Sequence, residues 1–313
     1  MNRMVPERFP ALVLSGEGVG KRALITGLRG FTGHYLAQEL SAAGYRVFGT
    51  ALPGEAGGPD IFTVDLCDRD AVAAMVAAVQ PDVVAHLAGI AFVAHANTEL
   101  IYRVNILGAR NLLEALAAQR HQSSAVLLAS SANIYGNAGV AVIDENVAPA
   151  PANDYAVSKL AMENMARLWS DQLPIIIARP FNYTGVGQTE NFLLPKIVAH
   201  FRKGAPEIEL GNLAIARDFS DVRMVATSYR RLLAVAPAGQ AFNVCTGQAH
   251  SLASVIGVMS SIAGYDIEVR VNPAYVRAND VLTLVGCNDK LASVIGEVTP
   301  TPLDDTLRWM YLA

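Results

Sequence analysis

Residues 22–33 read RALITGLRGFTG: a short apolar run, then Gly27, Gly30 and Gly33, with an amphipathic stretch over 34–43 closed by Gly44. Glycine lets the chain turn tightly and lets its backbone approach a ligand. A helix that starts at such a turn offers unpaired N–H groups and the positive end of its dipole. The spacing G-x-x-G-x-x-G, set between a strand and a helix, predicts a cradle for the pyrophosphate of a dinucleotide. It is one residue longer than the common fingerprint. Arg29, Phe31 and Thr32 stand between the glycines and are expected at the same ligand.

The same alternation continues along the chain. Apolar runs at 45–50, 61–65, 83–89, 125–131 and 175–179 predict strands, and 68–79, 98–119 and 154–171 predict helices between them. The strands are apolar throughout instead of at every second residue, the pattern of a parallel sheet buried on both faces. This is an α/β chain with a Rossmann-type doubly wound parallel sheet, whose ligand belongs at the carboxyl ends of the strands. After Arg179 the alternation breaks; 181–215 is rich in Asn, Gly, Thr and Pro, and 241–247 reads as one more strand. The expected organisation is a flexible extension at 1–20, a dinucleotide-binding domain from 21–180 and 216–248, and a smaller discontinuous α/β substrate domain from 181–215 and 249–313.

Composition bounds the function. Of 313 residues, 52% are hydrophobic and 17% charged, which excludes a disordered or fibrous chain. No apolar stretch reaches the roughly 18 residues of a membrane span, so the mean hydropathy of +0.30 reports a large core. With 24 Lys and Arg against 28 Asp and Glu, there is no basic field for nucleic acid, and an anionic ligand must be held locally. Cys67, Cys245 and Cys287 show neither a disulfide framework nor metal-ligand spacing, so a reduced, cytoplasmic setting and no metal are expected. The apolar run 11–14 is too short for a signal peptide.

The second strand bears on the cofactor. An NAD site usually places a carboxylate about 20 residues past the glycines, on the ribose hydroxyl. Here that strand ends in Thr50-Ala51-Leu52, with no acid before Glu55. A 2′-phosphate is therefore admitted and NADP(H) favoured, with NAD(H) also accommodated. Arg29 is the candidate cation, its alternative being an ordinary solvated loop residue. Asp65 and Leu66, after the third strand, are expected near the adenine.

Tyr155 and Lys159 lie four apart in a helical segment and so share a face. A free phenol, with a pKa of about 10, is a poor proton donor and acceptor near neutrality. A neighbouring ammonium and an oxidised nicotinamide would favour its phenolate. Ser131, at the end of the fifth strand, is placed to donate to an oxygen on which charge develops. The alternative, a packed aromatic beside a solvated lysine, has no use for the glycine loop and the strand-end serine.

Taken together, Gly27 to Gly33, HLAG at 86–89, Asn105 in VNILGARNLLEA, SSANIYG at 130–136 and YAVSK at 155–159 resemble the extended short-chain dehydrogenases/reductases that act on nucleotide sugars. The resemblance implies Ser131, Tyr155 and Lys159 as the catalytic group, with Leu87, Ala88, Gly89, Asn105 and Pro180 at the cofactor. It also implies a cytoplasmic homodimer built as a four-helix bundle from about 99–119 and 154–171. Dehydratases of this family need an acid beside the serine, and here Ala132, Asn133 and Ile134 follow it.

The second half, through 179–198, 211–223, 242–247 and 271–286, resembles the GDP-6-deoxy-mannose reductases of deoxysugar and polysaccharide biosynthesis. That likeness implies Asn182 at the sugar phosphates, Leu194 and Lys196 at the guanine, and Gly211 at the nucleotide. Arg217 and Arg277 would clamp the pyrophosphate, and Asp280 would bind a ribose hydroxyl. Ala132 and Asn133 replace the acids expected after the serines, and Tyr183 replaces a more usual His. The hexose, the carbon-4 configuration and the base thus stay open, with 6-deoxy-talose and dTDP-linked 4-keto sugars as neighbouring cases. A 4-epimerase with tightly bound NAD and a non-catalytic dinucleotide sensor are the alternative functions.

Overall fold

The computed structural model describes residues 16–91, 97–213, 215–273 and 283–313, so Arg277 and Asp280 lie outside the described residues. The first half runs β1 (Arg22–Thr26), α1 (Phe31–Ala42), β2 (Arg46–Ala51), β3 (Ile61–Thr63), α2 (Arg69–Val79), β4 (Val83–His86), α3 (Thr98–Tyr102), α4 (Ala109–Ala117), β5 (Ala125–Ala129), α5 (Asp154–Ala166) and β6 (Ile175–Pro180). The rest runs β7 (Asn182–Thr184), α6 (Leu193–Arg202), β8 (Glu207–Leu210), β9 (Ala216–Arg217), β10 (Phe219–Asp221), α7 (Val222–Val235), β11 (Gln240–Val244), β12 (His250–Ser251), α8 (Leu252–Ala263), β13 (Glu268–Val271), β14 (Thr283–Leu284), α9 (Asp289–Ile295) and α10 (Leu303–Leu312).

Seven parallel strands form the central sheet in the order β11-β6-β5-β4-β1-β2-β3. Alternate residues of one strand enter opposite cores. Ala23, Ile25, Val83 and Ala85 face the core under α1 and α7, whereas Leu24, Val84, Val126 and Leu128 face the core under α2, α4 and α5. Both faces are dry, and this is the physical origin of the unbroken apolar runs. The chain reverses direction across the sheet between β1 and β4, so the crevice for a ligand opens at their carboxyl ends.

The helix expected over 98–119 is interrupted. Residues Arg103–Gly108 widen into a π-helical turn between α3 and α4, a distortion frequent at functional positions. Its Asn105 is buried; the side-chain oxygen accepts from the Ile90 N–H at 2.8 Å, and the amide donates to the Ser158 hydroxyl at 2.9 Å. The alternation also resumes after Arg179, through α7 and β11. Val225, Ala226, Tyr229, Leu232 and Leu233 of α7 cover the sheet beside α1.

A further apolar core lies beyond the sheet, built by Leu194, Ile197 and Phe201 of α6, Ile208 and Leu210 of β8, Val255 and Met259 of α8, and Leu307 of α10. Helix α9 instead sends Leu291 and Ile295 into the core shared with α7. Among the described residues no helix is long and apolar enough to cross a membrane.

Candidate active site

The loop after β1 is built around its glycines. Gly27 has φ +73°, and a Cβ there would lie 2.9 Å from the Ala88 nitrogen. A Cβ on Gly33 would lie 2.3 Å from the Gly27 carbonyl oxygen. Gly30 caps α1 without any side-chain hydrogen bond to the first turn, so the amino end of the helix keeps free N–H groups for an anion. Buried Thr50, at the end of β2, accepts the Gly27 N–H at 3.0 Å and fixes the loop from below. The loop therefore fits a dinucleotide pyrophosphate: it is a backbone cradle that side chains would fill.

A cavity of about 460 Å³ opens from this loop across the carboxyl ends of the strands. Gly27, Gly30, Phe31, Thr32, Gly33, Leu87 and Gly89 line one side, and Ser131, Tyr155, Lys159 and Pro180 its floor. Asn182, Leu194 and Arg217 approach from the other side. The Asn182 amide nitrogen is buried without a partner in the protein, as suits a donor that awaits a ligand.

Other sequence candidates sit outside the cavity lining. Ala88 backs Gly27. Asn105 holds Ile90, and the Asn105 oxygen would lie 2.9 Å from a Cβ on Gly89. Asp65 is exposed and accepts the Cys67 N–H; Leu66 is buried, its carbonyl accepting from Asn111. Arg29 is exposed. Lys196 donates to the Glu209 carbonyl at 2.7 Å, and Gly211 follows β8 outside the lining.

Helix α5 starts at Asn153, whose side chain caps the Ala156 N–H at 2.9 Å and so sets Tyr155 in the first turn. Lys159, one turn on, is buried and donates to the Ala129 carbonyl at 2.8 Å. The Ser131 oxygen accepts from both the backbone N–H and the side-chain amide of Asn133, each at 3.1 Å. With both lone pairs engaged, its O–H is left to donate. In the sequence Asn133 stands where an acid is expected; in the structure it supports the serine.

The electrostatics depart from expectation in one respect. Burial raises the Tyr155 phenol above its usual value, opposed mainly by a hydrogen bond with Ser131, and Lys159 is not among the groups that lower it. The phenol is therefore a retained proton at neutral pH. Burial likewise draws the Lys159 ammonium down to about 8, with Glu163 pulling the other way. His86, bound through Nδ1 to the Thr26 hydroxyl at 2.7 Å, is driven down to about 3 by burial and by Lys159, and is neutral.

Tyr183 extends the site. Its hydroxyl pairs with the Thr32 hydroxyl at 2.8 Å, and its ring stacks on Phe31 with centroids 6.0 Å apart. It thereby joins the glycine loop to the β6–β7 segment. Arg217 leaves β9, the middle strand of a small sheet between β12 and β14. The next residue, buried Asp218, accepts from Thr246 N–H at 2.9 Å and Gly247 N–H at 2.8 Å, fixing that strand against the main sheet.

A doubly wound sheet, an uncapped glycine loop and a Ser-Tyr-Lys floor define a dinucleotide-dependent oxidoreductase of the short-chain type. The chain belongs to the NAD dependent epimerase/dehydratase family, whose profile matches residues 23–245. It is 33% identical to GDP-6-deoxy-D-talose 4-dehydrogenase of Aggregatibacter actinomycetemcomitans, over 88% of this chain and 91% of that protein. It is equally identical to GDP-6-deoxy-D-mannose reductase of Pseudomonas aeruginosa, over 92% and 95%. Among solved structures, a Burkholderia cenocepacia J2315 protein classed provisionally as an epimerase is 54% identical, with TM-score 0.89 over 94% of this chain and 98% of that one. RMD from Pseudomonas aeruginosa, solved with NADPH, is 31% identical, with TM-score 0.82 over 93% and 98%.

Proposed function

We propose that this enzyme reduces the 4-keto group of a nucleotide-linked 4-keto-6-deoxyhexose, with GDP-4-keto-6-deoxy-D-mannose to GDP-D-rhamnose as the leading case. The observation that carries the proposal is a neutral, buried Tyr155 hydrogen-bonded to the Ser131 hydroxyl, on the floor of a cavity bounded by the glycine loop. A reductase needs a proton donor where an alkoxide forms, and a phenol kept protonated by burial is one. Both curated relatives act, by name, on GDP-linked 6-deoxyhexoses.

When bound, the nicotinamide supplies a hydride; the chain supplies the remainder. The Gly27–Gly33 loop holds the pyrophosphate by backbone N–H groups, with Arg29, Phe31, Thr32, Asp65, Leu66, Leu87, Ala88, Gly89, Asn105 and Pro180 completing the cofactor side. Ser131 donates to the carbonyl oxygen, which gathers charge as carbon 4 is reduced, and Tyr155 gives that oxygen its proton. Lys159 binds the cofactor ribose. Asn182, Arg217 and Arg277 take the sugar diphosphate, Leu194, Lys196 and Gly211 the base, and Asp280 the ribose. The lobe of 181–215 and 249–313 is thus the nucleotide-sugar side. NADPH is favoured over NADH: Glu55, the first acid past β2, is turned back onto the Leu52 N–H at 2.9 Å.

The test offers GDP- and dTDP-linked 4-keto-6-deoxy sugars to the purified protein with NADPH or NADH. Loss of the reduced-nicotinamide absorbance is expected, fastest with the GDP sugar and NADPH. Conversion with no added cofactor would make the protein an epimerase, and binding without turnover would make it a sensor.

We also propose a homodimer through α3, α4 and α5. Leu100 of α3 and Val157 of α5 are exposed, as are Leu107 in the π-helical turn between α3 and α4 and Leu168 in the turn after α5, at 49% and 75%. Apolar side chains that join into one exposed patch mark an interaction surface. Leu107→Glu with Leu168→Glu is expected to halve the solution mass from twice 33.2 kDa. A monomeric unmodified protein would overturn the proposal.

A further inference from the structure

Outside the cavity lining runs a buried polar chain. Arg179 donates through Nε and Nη2 to the two Glu163 oxygens at 3.0 and 2.7 Å, and through Nη1 to the Tyr135 hydroxyl at 2.9 Å. The Tyr135 hydroxyl donates in turn to Asn243 Oδ1 at 2.8 Å. Glu163 is 3% exposed, Arg179 6% and Tyr135 0%. None of the three lines the cavity. A buried ion pair is a weak contributor to stability beside a well-packed apolar pair, because desolvation consumes most of its attraction. Stability alone therefore does not account for this one.

Its place in the fold does. Each member sits a short step along the chain from a site residue. Glu163 is one turn of α5 past Lys159, Arg179 precedes Pro180 on β6, and Tyr135 closes the 3-10 turn Ala132–Tyr135 that begins after Ser131. Asn243 ties the chain to β11 and, through Ile143 and Glu145, to the segment leading into α5. We propose that the Glu163–Arg179–Tyr135 chain is a positioning device for the reaction, in which Arg179 and Tyr135 hold Glu163, one turn of α5 past Lys159, as the buried carboxylate that sustains the Lys159 charge behind Tyr155. It rests on reading Tyr155 and Lys159 as the working pair.

The charge states of the buried groups around Lys159 and Glu163 support that role. His86 of β4 is neutral, and Tyr155 on its own helix keeps its proton. Tyr135 is held up to about 12 by burial and is neutral as well. Arg179 is cationic and lies on the far side of Glu163. Glu163 is the charge that raises Lys159 against the burial that lowers it. The sign follows: a lysine ammonium exists below its pKa, so losing the carboxylate removes the charged form at lower pH.

The test is the pH profile of turnover for the whole enzyme. The unmodified protein should lose activity as pH rises through about 8. In Glu163→Gln that alkaline limb is expected to move toward acid by about one unit, about a fivefold loss at pH 8 that approaches tenfold at higher pH, with Glu163→Asp restoring part of it. Because Glu163→Gln strands the Arg179 charge, the paired variant Glu163→Met with Arg179→Met removes both charges and keeps apolar bulk. The same acidward shift is expected there. A folded variant whose turnover falls uniformly, with the limb unmoved, would overturn the inference and leave a purely structural role. Full activity in Tyr155→Phe would instead overturn the functional reading on which it rests.

Discussion

Tyr155→Phe is expected to lower turnover by about 10²–10⁴, the range of a lost general acid, while cofactor affinity stays close to that of the unmodified enzyme. The separation follows from where each function sits. The phenol faces the cavity beside Ser131, whereas in the proposed arrangement the dinucleotide is held by the Gly27–Gly33 backbone and by Lys159, which is anchored on the Ala129 carbonyl. The phenylalanine ring fills the same volume, so packing is kept and only the proton is lost. Steady-state turnover with a fluorescence titration of NADPH separates the two effects. Near-normal turnover would remove Tyr155 from the chemistry.

Gly33→Ala is expected to have the opposite signature, with cofactor binding lost and the fold weakened together. A Cβ at Gly33 would lie 2.3 Å from the Gly27 oxygen and 2.6 Å from the Leu28 oxygen, both backbone atoms that cannot rotate away. The loop must open or α1 must retreat, and either movement takes the helix N–H groups off the pyrophosphate. NADPH affinity should fall more than about tenfold, a loss of at least about 1.4 kcal/mol. Gly257→Ala serves as control. A Cβ on that residue of α8 has nothing within 4 Å, so alanine should leave binding unchanged and stabilise the helix by about 0.5–1 kcal/mol. Unchanged NADPH affinity in Gly33→Ala would contradict the cradle.

Much of this site is legible in the sequence because its chemistry sits on regular elements. The unbroken apolar runs of β1, β4 and β5 follow from burial on two faces, and the glycine loop has a fixed place between β1 and α1. Tyr155 and Lys159 are read off one helical turn. What sequence conceals is tertiary. Helix α7 carries Val225, Tyr229 and Leu232 at helical spacing, but its arginines mask the pattern from a reading by mean hydropathy. The π-turn at Arg103–Gly108 is invisible because the Asn105 bonds that accompany it, to Ile90 and Ser158, join residues far apart in the chain. Asn133 reads in sequence only as a missing acid, because its role depends on two hydrogen bonds to the Ser131 oxygen. Glu163 resembles any helical glutamate until Arg179, sixteen residues on, is seen to meet it.

The 4-keto sugar is offered together with NADPH carrying deuterium at the transferable position of the nicotinamide, and the product is examined by NMR. One deuterium at carbon 4 of the sugar is predicted, in one configuration, with one dinucleotide oxidised per product formed. Product formed with carbon 4 unlabelled, or formed without net oxidation of the dinucleotide, would contradict the account.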